Sequence, residues 1–183
     1  MQKEAVEWYV SGEGMYVNEL LRGKLEGMTD ADKHSIDALK NATNKGVVDK
    51  DVLYRSVDAE AVFGQMTQSQ YENLLEHIAY GESNKFTKPM EKRAKEVIGK
   101  TINEKGFMST TVNEHMALEW NGMTGSSKDI TLELHGAKGR KGLDLTNHFM
   151  DQGEVLLPPN AKYTVKKVTS KNGVIKVIGQ FNN

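Results

Sequence analysis

The sequence predicts a single α+β domain over residues 1–183, and three observations carry that expectation. Helix-period patterns fill roughly the first 105 residues and strand-like runs fill the rest, a segregated order that suits an α+β fold and not an alternating parallel one. At 183 residues the chain is long enough for one well-formed core and short for two domains of ordinary size. Near the C-terminus, Lys171-Asn172-Gly173 separates two alternating runs, Tyr163 to Val168 and Val174 to Phe181, and Asn-Gly between alternating strands is a strong hairpin signal.

In chain order, Val6 to Tyr9 reads as helical, Ser11-Gly12-Glu13-Gly14 interrupts, and Met15 to Arg22 resumes, with Met15, Asn18 and Arg22 at helical spacing. Gly23 is the expected stop. Thr29-Asp30 offers an N-cap for a helix carrying Ile36, Leu39 and Lys40 and ending near Asn44-Lys45-Gly46. Val52 to Arg55 is branched and aromatic enough for a strand. Helices are expected over Ser69 to Ala79 and Met90 to Ile102, with a loop over Gly81 to Pro89. Phe107 to Val112 then reads as a strand, His115 to Trp120 as a short helix, Gly122 to Ser127 as a flexible link, and Ile130 to His135 as an alternating strand.

Composition excludes several functions. Against 24 Lys and Arg stand 25 Asp and Glu, for a formal charge of -1, so no overall basic field draws the chain to nucleic acid or an acidic membrane. Any phosphate must be held by local residues. With no cysteine there is neither a disulfide framework nor a thiolate ligand or nucleophile. The charged N-terminus lacks the apolar core of an export signal, and no run approaches the roughly 20 apolar residues of a membrane span. The chain therefore reads as soluble. His34, His77, His115, His135 and His148 show no metal-ligand spacing, so no metal is expected. Lys138 to Gly142 is locally basic and reads first as a solvated loop, with a nucleic-acid contact as the second reading.

Three stretches carry polar residues where strands ordinarily carry apolar ones. Arg55 ends the Val-Leu-Tyr run; Ser109-Thr110-Thr111 continues Gly106-Phe107-Met108; Gln152-Gly153-Glu154 leads into Val155-Leu156-Leu157-Pro158. Singly, each fits a solvated arginine, a hydroxyl-bearing strand or a turn acid. In this order and spacing they resemble the Arg-Ser-Glu class of ADP-ribosyltransferases, which includes clostridial Rho-modifying exoenzymes, the enzymatic parts of actin-modifying binary toxins, and related phage domains. The resemblance runs from about Tyr9 to about Tyr163.

That resemblance implies two packed, mostly antiparallel sheets with N-terminal helices, NAD+ as substrate in the cleft between the sheets, and a monomer. Tyr9, Tyr16 and Asn18-Glu19-Leu20-Leu21-Arg22 match the family's N-terminal helix, with Asn18 and Arg22 toward the phosphates. Leu53-Tyr54-Arg55 matches its aromatic-Arg element, in which a guanidinium's planar fork suits phosphate oxygens; Ser56-Val57-Asp58 departs from the glycine often found next. Gly106 to Thr111 matches Gly-Phe-x-Ser-Thr-Ser, with Thr111 for the last serine. In it Ser109 would orient the catalytic carboxylate and Thr110 would belong to the NAD+ site. Ala117-x-x-Trp120 falls where the family places a ring against nicotinamide.

Glu154 would be the carboxylate that stabilises positive charge developing at the anomeric carbon. Gln152 would engage the acceptor: the family's arginine-modifying members carry glutamate there, whereas an amide can both donate to and accept from an amide or a base edge. The implied activity is transfer of ADP-ribose to a macromolecule, with a protein side chain other than arginine favoured as acceptor. NAD+ hydrolysis and guanine or nucleic-acid modification are the enzymatic alternatives, and a nucleotide-binding or structural phage module the non-enzymatic one. Phe149 and Met150 are candidate target contacts. The implied setting is a bacterial effector or phage product acting in a cytoplasm or delivered there by a toxin or phage system.

Overall fold

A computed structural model describes residues 2–65, 67–70, 72, 88–123, 130–146, 153–171 and 174–182. In chain order the elements are α1 (Gln2–Trp8), a π-turn (Tyr9–Glu13), α2 (Gly14–Arg22), α3 (Asp30–Lys45), β1 (Leu53–Val57), α4 (Ala59–Phe63), α5 (Lys88–Val97), β2 (Thr101–Glu104), β3 (Met108–Thr111), α6 (Glu114–Met123), β4 (Ile130–His135), β5 (Leu143–Asp144), β6 (Glu154–Leu157), β7 (Ala161–Lys171) and β8 (Val174–Phe181). Helices come first and strands dominate the second half, the α+β order expected. The chain forms two units, each assembled from three stretches: residues 1–51, 103–112 and 137–162 in one, and 52–102, 113–136 and 163–183 in the other.

In the first unit the N-terminal helices follow their local signals. Gly12 takes a non-helical conformation inside the π-turn, and Gly23 ends α2, its N–H reaching the Leu20 carbonyl at 3.1 Å. Thr29 and Asp32 form a reciprocal capping box, Asp32 N–H to Thr29 Oγ1 at 3.1 Å and Thr29 N–H to Asp32 Oδ2 at 2.8 Å, which satisfies two donors at the start of α3. α1, the π-turn, α2 and α3 supply Val6, Tyr9, Val17, Ile36 and Leu39 to one cluster with Phe107, Leu145 and Leu156. Burying side chains of this size stabilises by about 1.5–3 kcal/mol each. The strands here run β3-β6-β5, antiparallel, with Thr110 opposite Val155 and Asp144 opposite Val155 from the other side.

In the second unit the order is β2-β7-β8-β4-β1. β7 and β8 are the expected antiparallel pair, running from Tyr163 opposite Phe181 to Lys171 opposite Val174 with a shift of register between Val165 and Lys167; the Asn172-Gly173 turn lies outside the described residues. β4 pairs antiparallel with β1 and parallel with β8. Ile130, Leu132 and Leu134 are fully buried. No helix among the described residues is long and apolar enough to cross a membrane.

Three local expectations change. The helix expected over Met90 to Ile102 ends at Val97, and Thr101 opens β2. Gly99 N–H bonds Val165 O at 2.8 Å and Val165 N–H bonds Lys100 O at 2.9 Å, so strand pairing captures Thr101 and Ile102, whose branched side chains lose rotamer freedom in a helix. Lys88 and Pro89, expected in a loop, open α5, where proline's missing N–H costs nothing. Helix α6 extends three residues past Trp120. The helix expected over Ser69 to Ala79 lies mostly outside the described residues, as do Thr124 to Ser127.

Candidate active site

In the first unit, α2 and β3 are joined through Asn18. Its Nδ2 donates to the Tyr9 hydroxyl at 3.0 Å and its Oδ1 accepts from Phe107 N–H at 2.7 Å, so both ends of a buried amide are engaged within the protein. The Tyr9 ring meets Phe107 edge-on, centroids 5.6 Å apart, a favourable aromatic arrangement. Gly106 lets this approach happen: a Cβ there would lie 2.6 Å from Asn18 Oδ1. One helical turn beyond Asn18, Arg22 forms a fork with Glu104, Nε to Oε1 and Nη2 to Oε2 each at 2.9 Å. Glu104 Oε1 also accepts Gly106 N–H at 2.9 Å.

Two residues past Phe107, Ser109 Oγ donates to Glu154 Oε1. Thr110, fully buried, turns its hydroxyl to the Val155 carbonyl at 2.6 Å, tying β3 to β6 beside that contact. Burial pushes the Glu154 carboxyl above the usual carboxylate range, and the Ser109 hydrogen bond opposes the rise. Among the described residues no cationic side chain pairs with Glu154. The bend that presents it is made by Gly153, at φ +60, where a Cβ would lie 2.8 Å from Val112 Cγ2. Any L side chain there would be both strained and crowded.

The second unit holds the other expected positions. Arg55 is half-buried on β1 opposite Leu132, and Tyr54 lies opposite Glu133. Burial raises the Tyr54 hydroxyl's pKa, with Glu133 and Glu114 acting in the same direction and Lys176 against it. Ser56, which follows the arginine, is buried, and its hydroxyl has no hydrogen-bond partner among the described residues. Helix α6 packs on β1 and carries Trp120, whose side chain lies outside the description. Gln152, Phe149 and Met150 also lie outside the described residues.

Sequence reasoning missed two groups. Glu104 reads as an ordinary strand-end acid until the fold brings it to Arg22, 82 residues away; its place just before Gly106-Phe107 was the available hint. In the second unit Lys176 binds both Glu114 on α6 and Glu133 on β4, the latter at 3.1 Å, and Glu133 also meets His135 Nε2 at 2.8 Å. No short motif marks this cluster. The basic run from Lys138 to Gly142 is pinned to the segment after α3, Gly139 N–H to Val48 O and Val48 N–H to Arg140 O each at 2.9 Å.

Compared with known proteins, the chain matches the family model described as ADP-ribosyltransferase exoenzyme over residues 1–180. Among solved structures it is similar to Plx2a, an ADP-ribosyltransferase toxin from Paenibacillus larvae, at 21% identity and TM-score 0.74, covering 100% of this chain and 86% of that one. It is also similar to C3stau2 from S. aureus, solved with NAD, at 19% identity and TM-score 0.77, with 100% and 86% covered. A third is the C3larvin toxin, an ADP-ribosyltransferase from P. larvae, at 24% identity and TM-score 0.68, with 100% and 95% covered. No match was found among curated proteins.

Proposed function

The chain belongs to the ADP-ribosyltransferase exoenzyme family, and we propose that it transfers ADP-ribose from NAD+ to a protein side chain other than arginine, with Glu154 as the catalytic carboxylate. The observation that carries this reading is the Ser109–Glu154 pair: a carboxylate half-buried, raised in pKa by that burial, held by a hydroxyl and given no cation among the described residues. Breaking the bond between nicotinamide and ribose sends the bonding electrons out with nicotinamide and leaves positive charge on the sugar. A fixed, incompletely compensated carboxylate stabilises that charge as it develops, without first having to reorganise.

The remaining roles follow from side-chain chemistry. Arg22 and Arg55 would take the phosphates, which suit a guanidinium fork. Asn18 would act through Phe107, keeping the start of β3 and so Ser109 in place. Thr110 would fix β3 to β6, and Tyr54 and Trp120 would meet the nucleotide's rings. Gln152, two positions before Glu154, would receive the acceptor; its neutral amide lacks the charge that would draw an arginine. Residues 1–183 would act as one catalytic domain, since each unit draws on three separate stretches of chain.

The test is nicotinamide release and label transfer from adenylate-labelled NAD+ in a bacterial and a eukaryotic lysate, using wild type, Glu154→Gln and Gln152→Glu. Wild type should release nicotinamide and label a discrete protease-sensitive species, Glu154→Gln should do neither, and Gln152→Glu should lose that label while still consuming NAD+. A nuclease-sensitive label would move the acceptor to nucleic acid, and NAD+ loss without label would make water the acceptor. A folded wild type that releases no nicotinamide would sink the proposal.

A further inference from the structure

We propose that Glu104 is a positioning residue for the phosphates of NAD+: it grips Arg22 along one edge of the guanidinium so that the other edge is presented to the nucleotide. This rests on the reading of Arg22 as a phosphate ligand. The grip uses Nε and Nη2, each at 2.9 Å, of a group with five N–H donors in a rigid plane. Among the described residues both N–H bonds of Nη1 and the second of Nη2 make no hydrogen bond, and they remain for a ligand. Glu104 is itself held twice, by Gly106 N–H on Oε1 at 2.9 Å and by Asn160 N–H on its backbone carbonyl at 2.7 Å. Arg22 is thus oriented by a carboxylate that cannot easily follow it if it swings.

The alternative is that Glu104 competes with phosphate and Arg22 exchanges one partner for the other. Burial decides between them. The Glu104 side chain is 15% exposed and that of Arg22 28%, and separating two charges held bidentately at this depth is costlier than leaving the pair intact. Arg22 therefore keeps Glu104 when nucleotide arrives and uses its remaining edge. The pair has no net charge, so what it offers a phosphate is direction and preorganisation rather than an excess positive field.

The two possibilities predict opposite signs for Glu104→Gln, which keeps side-chain volume and an acceptor for Gly106 N–H. Simple charge arithmetic makes the variant more positive and NAD+ binding tighter. Loss of positioning weakens binding: KM and the calorimetric Kd for NAD+ should rise about tenfold, as expected for losing one hydrogen bond to a charged group, with kcat nearly unchanged. In an Arg22→Ala background the same substitution should have no further effect, because the residue acts through Arg22. Arg22→Lys, which can still neutralise Glu104 but has no second edge to offer, should raise KM similarly with Tm retained, and provides a second route if Glu104→Gln folds poorly. Tighter or unchanged NAD+ binding in Glu104→Gln, or an effect that persists without Arg22, would overturn the proposal. Wild type that fails to bind NAD+ at all would instead overturn the function on which it rests.

Discussion

Glu154 on β6 and Glu133 on β4 are both half-buried strand glutamates, yet their surroundings drive them apart. For each, burial disfavours the charged form. At Glu154, among the described residues, only the Ser109 hydroxyl opposes it and the pKa stays raised; at Glu133, hydrogen bonds from His135 and Lys176 outweigh burial and hold the carboxyl below the usual range. Secondary structure and residue type are the same. The difference lies in the partners: a carboxylate supplied with cations is a structural joint, whereas one supplied with a hydroxyl suits the proposed role of meeting a cation that exists briefly.

Glu154→Gln offers the largest test of this contrast. Nicotinamide release should fall about 10²–10³-fold, the scale for removing a preorganised charge-stabilising group. Its stability should move the other way. A carboxyl whose folded pKa lies above its unfolded value, 4.5 here, favours folding fully only below that unfolded value, and the benefit is lost as pH rises through the folded value. The glutamine variant should therefore melt above wild type near pH 7, and the gap should close as the pH falls below 4.5. A neutral-pH Tm below wild type would break the assignment of Glu154 as a strained, functional carboxylate.

Ser109→Ala should follow, with kcat reduced about tenfold or more, as expected for a lost hydrogen bond to a charged group. Without the donor, the Glu154 pKa rises further, so the acid limb of the pH–rate profile should move to higher pH. Next is Lys176→Met, which should cost about 1–2 kcal/mol by thermal or urea unfolding, a figure discounted for the partial exposure of its ion pairs. Because Glu133 is lowered, the stability it contributes is present above its unfolded value of 4.5 and lost as pH falls through the folded value; the gap from wild type should shrink in acid. Loss of nicotinamide release comparable to Glu154→Gln would erase the distinction between the two carboxylates. The smallest effect belongs to Ser56→Ala, which removes a buried unpartnered hydroxyl and should leave Tm unchanged or raise stability by up to about 1 kcal/mol.

Several features were legible because they are local. The break at Ser11 to Gly14, the stop at Gly23, the cap at Thr29 and the β7–β8 hairpin each depend on residues within a few positions, where backbone geometry and nearby hydrogen bonds decide the outcome. The family was legible too, through Asn18 to Arg22, Tyr54-Arg55, Gly106 to Thr111 and Gln152 to Glu154, and the contact expected between Ser109 and Glu154 is present. The helix α4 escaped notice because five residues are too few to show a 3.6-residue period.

What the sequence by itself determined, then, was the order of helices and strands, the caps and stops of the N-terminal helices, and the stretches that bear the candidate site's polar groups. The tertiary structure alone decided which groups meet: Asn18 with the Phe107 amide, Arg22 with Glu104, Lys176 with Glu114 and Glu133. It also decided that Thr101 and Ile102 pair as a strand, and that Glu154 is raised in pKa while Glu133 is lowered. The reason is physical. Helical period and capping are set by neighbours along the chain, but a charge's environment is set by burial and by partners whose distance in sequence carries no information about their distance in space.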